Sequence, residues 1–179
     1  MKITDPSFRF SLITLMPEMF KAISSYGVTG RAFSKGLVEL ELCNPREFSI
    51  DNHNTIDDRS YGGGPGMLMM VDPLVKSINS IRDEHNKKNL KIVKVIHMTP
   101  KGKPLNHKLV KKLLKEESLI IIASRYEGID DRIESWVDEE ISIGDYVLSG
   151  GEFPAMVLMD CMIRQLPGAL NDAESANLD

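Results

Sequence analysis

Apolar and polar residues follow two different periods along the chain. Period-two alternation and runs of β-branched residues predict strands, in chain order, over 8–15, 37–42, 91–98 and 119–124. Apolar residues at helical spacing predict helices over 18–23, 72–85, 105–115, 129–137 and 154–166, with Asp72 as the N-cap of the second. This alternation of short aliphatic strands with helices predicts an α/β fold with a mostly parallel sheet.

Two further segments show no strong helical period. Residues 44–71 combine proline, four glycines and a cluster of Asp and His, and they predict a long functional loop. Residues 141–152 contain three glycines and predict a loop or a short strand.

Composition narrows the class of protein. With 179 residues, of which 42% are hydrophobic and 27% charged, the chain can bury one full core, so we expect a globular domain. The longest aliphatic run is Leu119–Ala123, far below the ~20 residues of a membrane helix, and residues 1–6 show no signal pattern. Cys43 and Cys161 form no C-x-x-C pair, which argues against a disulfide framework or a zinc site. We expect a soluble, cytoplasmic protein.

The net charge of −4 hides an uneven distribution. Residues 1–115 hold 19 Lys and Arg against 11 Asp and Glu, a sum of +8, whereas residues 116–179 hold 3 against 15, a sum of −12. The basic part can face a polyanion, but uneven surface charge without a partner explains the numbers equally well.

The segment 57–70 contains the densest group of glycines. Gly62, Gly63, Gly64 and Gly66 surround Pro65, which lets the backbone approach a ligand closely and present its N–H groups. No Lys follows at the spacing of a P-loop, so a nucleoside triphosphate site is not predicted. The alternative is a mobile surface loop, although the apolar residues that follow favour a loop anchored on the core.

Two later segments place polar and glycine residues beside predicted apolar elements. Residues 124–132 directly follow a buried strand, the position where α/β sheets bind ligands; a solvated helix start is the alternative. Residues 143–154 interleave glycines with apolar residues, which suits main-chain hydrogen bonds to a planar heterocycle. They do not match the dinucleotide fingerprint G-x-G-x-x-G.

Other chemistry has little support. No metal site is predicted, because no metal-binding spacing is matched by the loop residues Asp51, His53, Asp57 and Asp58. His85 and His107 are predicted to be plain surface residues. No Ser or Cys stands in a nucleophile-elbow pattern, so covalent hydrolysis is not predicted.

Five motifs follow one another along the chain: Pro17–Phe20, Tyr26–Arg31, Tyr61–Met67, Arg125–Asp130 and Ile143–Glu152. In this order they resemble the bacterial tRNA (guanine-N1-)-methyltransferases of the SPOUT superfamily. The resemblance runs from about residue 8 to residue 179. It implies a mostly parallel sheet flanked by helices, with a C-terminal trefoil knot, and a homodimer with active sites between the subunits. The implied reaction moves a methyl group from S-adenosylmethionine to N1 of the guanine 3′ of the anticodon in tRNA. It also implies a catalytic domain over 1–168, with 169–179 as the start of a linker to a tRNA-binding domain.

The resemblance also implies roles for single residues. Cofactor contacts fall on His97, Met98, Thr99, Pro100, Ser124, Tyr126, Glu127, Gly128, Ile143, Gly144, Asp145, Tyr146, Val147, Leu148, Gly150, Gly151 and Pro154. RNA contacts fall on Asp57, Arg59, Tyr61, Gly62, Gly63, Gly64, Pro65 and Gly66. Asp179 is implied as the base that takes the guanine N1 proton, and Arg164 as the cation that stabilises charge on O6. The alternatives are an Arg164 pairing with Asp160 and an unstructured chain end at Asp179.

Two positions depart from the family pattern. The family usually has Gly where Ser124 stands, and often an aromatic residue where His97 stands. We therefore expect this pocket to contact the cofactor differently. Two other functions remain open: a cofactor- or RNA-binding module without turnover, and another SPOUT enzyme that modifies a different base or ribose.

Overall fold

A five-stranded parallel sheet forms the centre of the fold. The computed structural model describes residues 6–60, 62–90 and 93–170. The strands of this sheet are β1 (Phe8–Ile13), β2 (Val38–Cys43), β5 (Lys94–Pro104), β6 (Ser118–Ile122) and β7 (Glu139–Ser142), in the spatial order β2-β1-β6-β5-β7. All four neighbouring pairs in this sheet are parallel. A separate antiparallel hairpin joins β3 (Asp57–Arg59) to β4 (Met67–Met69).

Helices cover both faces of the sheet. They are α1 (Lys21–Ser24), α2 (Gly27–Ser34), α3 (Val71–Lys87), α4 (His107–Leu113) and α5 (Glu152–Ile163), with 3₁₀ turns over Pro17–Phe20, Pro45–Phe48 and Asp131–Trp136. Strand β6 shows how the layers form, because its side chains alternate between two apolar clusters. Leu119 and Ile121 pack with residues of α2, α4 and α5, whereas Ile120 and Ile122 pack with residues of α3. The central strands are therefore shielded from water on both faces.

A shift in register between β5 and β7 opens the sheet near one end. Met98 and Lys103 of β5 both pair with Ile141 of β7, so the residues between them bulge away from the ladder. Gly102 allows the return to the sheet, because a Cβ there would lie 2.5 Å from the Ile141 backbone nitrogen. The bulge brings residues 99–101 to the rim of a cavity at this edge of the sheet.

The structure confirms the mostly parallel sheet flanked by helices and corrects several element predictions. The prediction of one long loop over 44–71 is corrected, because this segment holds the β3–β4 hairpin and a 3₁₀ turn. Strands of three residues are too short for a period-two pattern to reveal. Helix α2 is not predicted by the sequence pattern, and the predicted helix over 129–137 is a 3₁₀ turn.

Asp72 is not an N-cap. Helix α3 begins at Val71 after the N-cap Met70, and Asp72 lies in the first turn, where its carboxylate pairs with Lys76 at 2.7 Å. An acidic residue in the first turn is favoured by the helix dipole, so the same residue type suits both positions. Among the helices of the described residues, none is long and apolar enough to cross a membrane. The trefoil knot stays a prediction.

Candidate functional site

A cavity of about 300 Å³ opens at the bulge of β5 and beyond the carboxyl ends of β6 and β7. This is the edge where parallel sheets bind their ligands. The cavity is lined by Met98, Thr99, Pro100, Lys101, Ser124, Tyr126, Glu127, Gly128, Ile141, Ser142, Ile143, Gly144, Tyr146, Val147, Leu148, Gly150, Gly151 and Pro154. Fifteen of the seventeen residues assigned to the cofactor by resemblance thus line this one cavity. The fold brings together three segments that are far apart in the sequence.

Two assigned residues do not line the cavity, and three unassigned ones do. Asp145 is exposed outside it, and His97 is buried behind it. Lys101, Ile141 and Ser142 line the wall although no motif in the sequence indicates them. The predicted strands 91–98 and 119–124 could have indicated them. The ends of parallel strands meet at one edge of a sheet, so residues that follow such ends are candidates for the same site.

Gly150 and Gly151 allow the loop after β7 to lie against the end of β6. The Gly151 N–H donates to the Ser124 carbonyl at 2.7 Å. A Cβ at Gly151 would lie 2.8 Å from the Ser124 nitrogen, and a Cβ at Gly150 would lie 2.6 Å from Arg125 Nε. The contact at Gly151 is with backbone, which cannot move aside, so Gly151 fixes the back wall of the cavity. At Gly150 a side chain would displace the Arg125 and Glu152 side chains.

A buried ion pair supports the cavity from below. The Arg125 Nε donates to both carboxylate oxygens of Glu152, at 3.2 and 3.0 Å, and the Thr14 hydroxyl donates to Glu152 at 3.0 Å. Glu152 is fully buried at the start of α5. This network ties the end of β1, the loop after β6 and helix α5 together. The sequence alone does not reveal Glu152, because a Glu in the first turn of a helix is usually a solvated residue.

Residues behind Ser124 form a second polar contact. The His97 ring is 3.0 Å from the Ser124 hydroxyl through Nε2 and 3.2 Å from Glu140 through Nδ1. Burial lowers the pKa of His97, and the neighbouring Glu140 only partly offsets this effect. His97 is therefore neutral at pH 7. The two positions that depart from the family pattern, His97 and Ser124, contact each other.

One cavity residue has an unusual backbone conformation. Tyr126 adopts a positive φ of 61°, which non-glycine side chains rarely do. The residue is 43% exposed and lines the cavity. Backbone strain of this kind is concentrated at functional sites, where the surrounding structure maintains it.

The glycine-rich loop is anchored beside the cavity. The Met67 carbonyl accepts from the Glu127 N–H at 3.0 Å, and the Met69 N–H donates to the Gly128 carbonyl at 2.9 Å. At Gly66, where φ is +93°, a Cβ would lie 2.4 Å from the Glu127 side chain. This geometry favours the anchored loop over the mobile one. The loop residues assigned to RNA, Arg59, Gly62, Gly63, Gly64, Pro65 and Gly66, are exposed, Asp57 is half-buried, and Tyr61 lies outside the described residues.

The two assigned catalytic residues are not at the cavity wall of this chain. Arg164 is half-buried and follows the last residue of α5, about 15 Å along the helix axis from Pro154. Asp179 lies outside the described residues. Whether these two residues act on a substrate stays a prediction.

His85 contradicts the prediction of a plain surface residue. It is buried, with Nε2 3.3 Å from the Ser11 hydroxyl and 3.8 Å from Glu41. The spacing of apolar residues along α3 places His85 on the buried face of that helix. A prediction from the residue type alone misses this position. His107 is exposed. Across the described ranges, no three His, Cys, Asp or Glu side chains are grouped as a metal would require.

Comparison with known proteins identifies the family. The family model described as tRNA (Guanine-1)-methyltransferase TrmD matches residues 8–179. The chain belongs to this family. A relative from Nitrosospira multiformis, named tRNA (guanine-N(1)-)-methyltransferase, is 53% identical over 97% of this chain and 68% of its own length. A relative of the same name from Thiobacillus denitrificans is 51% identical over 96% and 72%, respectively.

A solved structure carries the same fold. The crystal structure of tRNA (m1G37) methyltransferase from Aquifex aeolicus superposes with a TM-score of 0.84 at 38% identity, over 94% of this chain and 73% of that one. The resemblance read from the motifs is therefore confirmed, and the chain is an enzyme of the TrmD family. It spans about two thirds of the length of the curated relatives it matches.

Proposed function

We propose that this chain is the catalytic part of an enzyme that transfers a methyl group from S-adenosylmethionine to N1 of the guanine 3′ of the anticodon in tRNA. The proposal depends on one observation, the contact between the cavity and the glycine-rich loop. The cavity at the sheet edge lies directly beside the exposed glycine-rich loop, and backbone hydrogen bonds of Met67 and Met69 join them. A cofactor in the cavity and a base at the loop would then be neighbours.

The cavity suits the proposed cofactor. Its volume is at the lower end of the range for small-molecule sites, and its wall combines apolar side chains with main-chain groups. Ile143 and Leu148 can cover a flat ring, and the glycines of the loop after β7 leave the backbone accessible to its polar edge. The bound cofactor would supply an electrophilic methyl group.

The protein's own task in this reaction is to move a proton and to stabilise charge. Guanine N1 carries a proton at neutral pH and must lose it to become a nucleophile. We assign that step to Asp179 and the stabilisation of negative charge on O6 to Arg164. A positioned base of this kind contributes about 10²–10⁴-fold in rate.

We further propose that the active site is shared between two copies of the chain. Phe153, Val157 and Arg164 follow at i, i+4 and i+11, which places them on one face of α5. Phe153 is 58% exposed and Val157 41% exposed, so they form an exposed apolar pair one turn apart, and contiguous apolar surface favours a protein contact. A second copy on this face would meet Arg164, which is far from the cavity of its own chain.

The domain organisation and the location are part of the same proposal. Residues 1–168 would form the catalytic domain, and 169–179 would begin a linker to a tRNA-binding domain. The location we propose is the cytoplasm, where tRNA is modified.

The test is a methyl-transfer assay on the full-length protein. Labelled S-adenosylmethionine and an unmodified tRNA transcript should yield 1-methylguanosine at the position 3′ of the anticodon. Arg164→Ala should reduce transfer by at least 10²-fold with little change in cofactor affinity, whereas Arg132→Ala, an exposed control, should not. Methylation of another base or of a ribose would favour a different SPOUT reaction. Cofactor binding without transfer would favour a binding module.

A further inference from the structure

Two side chains on neighbouring strands and one on the loop after β6 form a continuous row that ends at the cavity wall. His97 on β5 is in register with Glu140 on β7 and with Ile122 on β6, two residues before Ser124. The His97 ring connects the other two, since Nδ1 is 3.2 Å from Glu140 Oε1 and Nε2 is 3.0 Å from Ser124 Oγ. Ser124 is the member of the row that lines the cavity.

The direction of the hydrogen bonds follows from the chemistry of the three groups. An ionised carboxylate only accepts, so Nδ1 of His97 must carry the hydrogen that Glu140 receives. A neutral imidazole has one donor and one acceptor, so Nε2 accepts and Ser124 must donate its hydroxyl hydrogen. The lone pairs of Ser124 Oγ then remain for the cavity. In this state Ser124 can only accept a hydrogen bond from a ligand.

The same row has the order carboxylate, imidazole and hydroxyl that activates serine nucleophiles. An acyl-transfer site also needs backbone donors beside the serine. The N–H of Arg125, the next residue, already donates to the Met69 sulfur at 3.3 Å. This contact favours a binding role for Ser124 over a nucleophilic one.

We propose that Glu140 and His97 are positioning residues that fix the Ser124 hydroxyl as a hydrogen-bond acceptor for a donor group of the ligand in the cavity. The inference rests on the proposed function, under which the donor is an amino or hydroxyl group of S-adenosylmethionine. It assigns a role to the two positions where this chain departs from the family pattern and adds Glu140 to the site.

The first test reads the hydrogen-bond direction without any ligand. Nitrogen-15 NMR of the imidazole rings in the full chain should show the neutral Nδ1–H tautomer for His97. Glu140→Gln should reduce the preference for that tautomer, because an amide can accept or donate, whereas Glu134→Gln on the exposed 3₁₀ turn should not. A neutral His97 with its hydrogen on Nε2 would overturn the proposal.

The second test measures the affinity for S-adenosylmethionine by calorimetric titration. Ser124→Ala should weaken binding about tenfold, the usual loss for one hydrogen bond to a ligand. Ser135→Ala, on the exposed 3₁₀ turn, should bind like the wild type. S-adenosylhomocysteine analogues that lack the ribose hydroxyls or carry a dimethylated adenine amine then locate the donor. The analogue that lacks the group donating to Ser124 should bind to the wild type and to Ser124→Ala with equal affinity.

A pH series separates positioning from a structural role. The charged groups that act on His97 are Glu140, which raises its pKa, and Lys101, which lowers it, while burial lowers it most. Acidification through the His97 pKa puts a hydrogen on Nε2. His97 then donates to one lone pair of Ser124 Oγ, and the freed hydroxyl hydrogen can point into the cavity, where it opposes the ligand donor. The wild type should therefore lose affinity as the pH falls through the His97 pKa, by up to about tenfold more than Ser124→Ala.

Failure of the proposed function and failure of the inference about Ser124 give different results. If the wild type binds no S-adenosylmethionine, the proposed function is wrong, and the ligand half of the inference is wrong with it. If the wild type binds but Ser124→Ala binds equally well, or if the two pH profiles are parallel, only the inference is wrong.

Discussion

At the scale of single residues, the Arg125–Glu152 pair makes a measurable contribution to stability. Glu152→Ala removes a carboxylate that is fully buried and leaves the Arg125 guanidinium and the Thr14 hydroxyl without this acceptor. Breaking a buried pair costs about 3–5 kcal/mol, and because the Arg125 side chain is 23% exposed we expect the lower end of that range. Urea denaturation measures the loss. Glu18→Ala, at an exposed site, should change the free energy of unfolding by less than about 0.5 kcal/mol; equal losses for both would contradict the prediction.

His85 predicts a pH dependence of stability. Burial lowers its pKa below the ordinary value of 6.5, an effect that the nearby Glu41 only partly offsets. The folded state therefore resists protonation of this ring. Its contribution to stability is fully present above pH 6.5 and is lost as the pH falls from 6.5 toward the lowered pKa. Between those two pH values the free energy of unfolding falls by at most about 1.4 kcal/mol per pH unit.

The role of His85 is measured as a difference in the free energy of unfolding between two proteins. Free energies of unfolding are compared at pH 7.5, 6.5 and 5.5 for the wild type and for His85→Gln, which cannot titrate. Other groups affect both proteins equally, so the wild type should lose more stability on acidification. Parallel curves would show that burial does not disfavour the charged ring.

At the scale of elements, two glycines of the 62–66 loop provide a matched pair. Gly62 and Gly66 have positive φ values of 88° and 93°, so alanine meets similar backbone strain at either position. Only at Gly66 would the Cβ contact another residue, the cavity-lining Glu127. We expect Gly66→Ala to weaken cofactor binding severalfold and Gly62→Ala to leave it unchanged, as measured by calorimetric titration. Equal effects of the two variants would show that the contact of Gly66 with Glu127 does not shape the binding site.

The elements differ, for physical reasons, in how well the sequence predicts them. Strands such as β6 are buried on both faces and appear as continuous aliphatic runs, so the sequence predicts them well. The β3–β4 hairpin has three residues in each strand and no such run. The position of Asp72 is ambiguous in the sequence because the N-cap and the first turn favour the same residue type.

At the scale of the whole molecule, the sequence predicts one part of the candidate site and not another. The motifs predict most of the cavity wall, because glycine spacing records close backbone contacts such as that of Gly151 with Ser124. Contacts that depend on the pairing of distant strands could not be read from one sequence. The row of Glu140, His97 and Ser124 exists only because β5 lies between β6 and β7.

The exposed apolar face of α5 is the surface that the proposed dimer would bury. Phe153→Asp and Val157→Asp each place a charge on that face, where a dimer would bury it without a partner, a cost of several kcal/mol. Light scattering at micromolar concentration should give twice the chain mass for the wild type and the chain mass for either variant, with the fold retained by circular dichroism. Ile50→Asp is the matched control, since Ile50 is 84% exposed in a different part of the surface, and it should leave the dimer intact. A monomeric wild type would instead require that Arg164 reach a substrate from its own chain, which its position about 15 Å along α5 from the cavity wall does not favour.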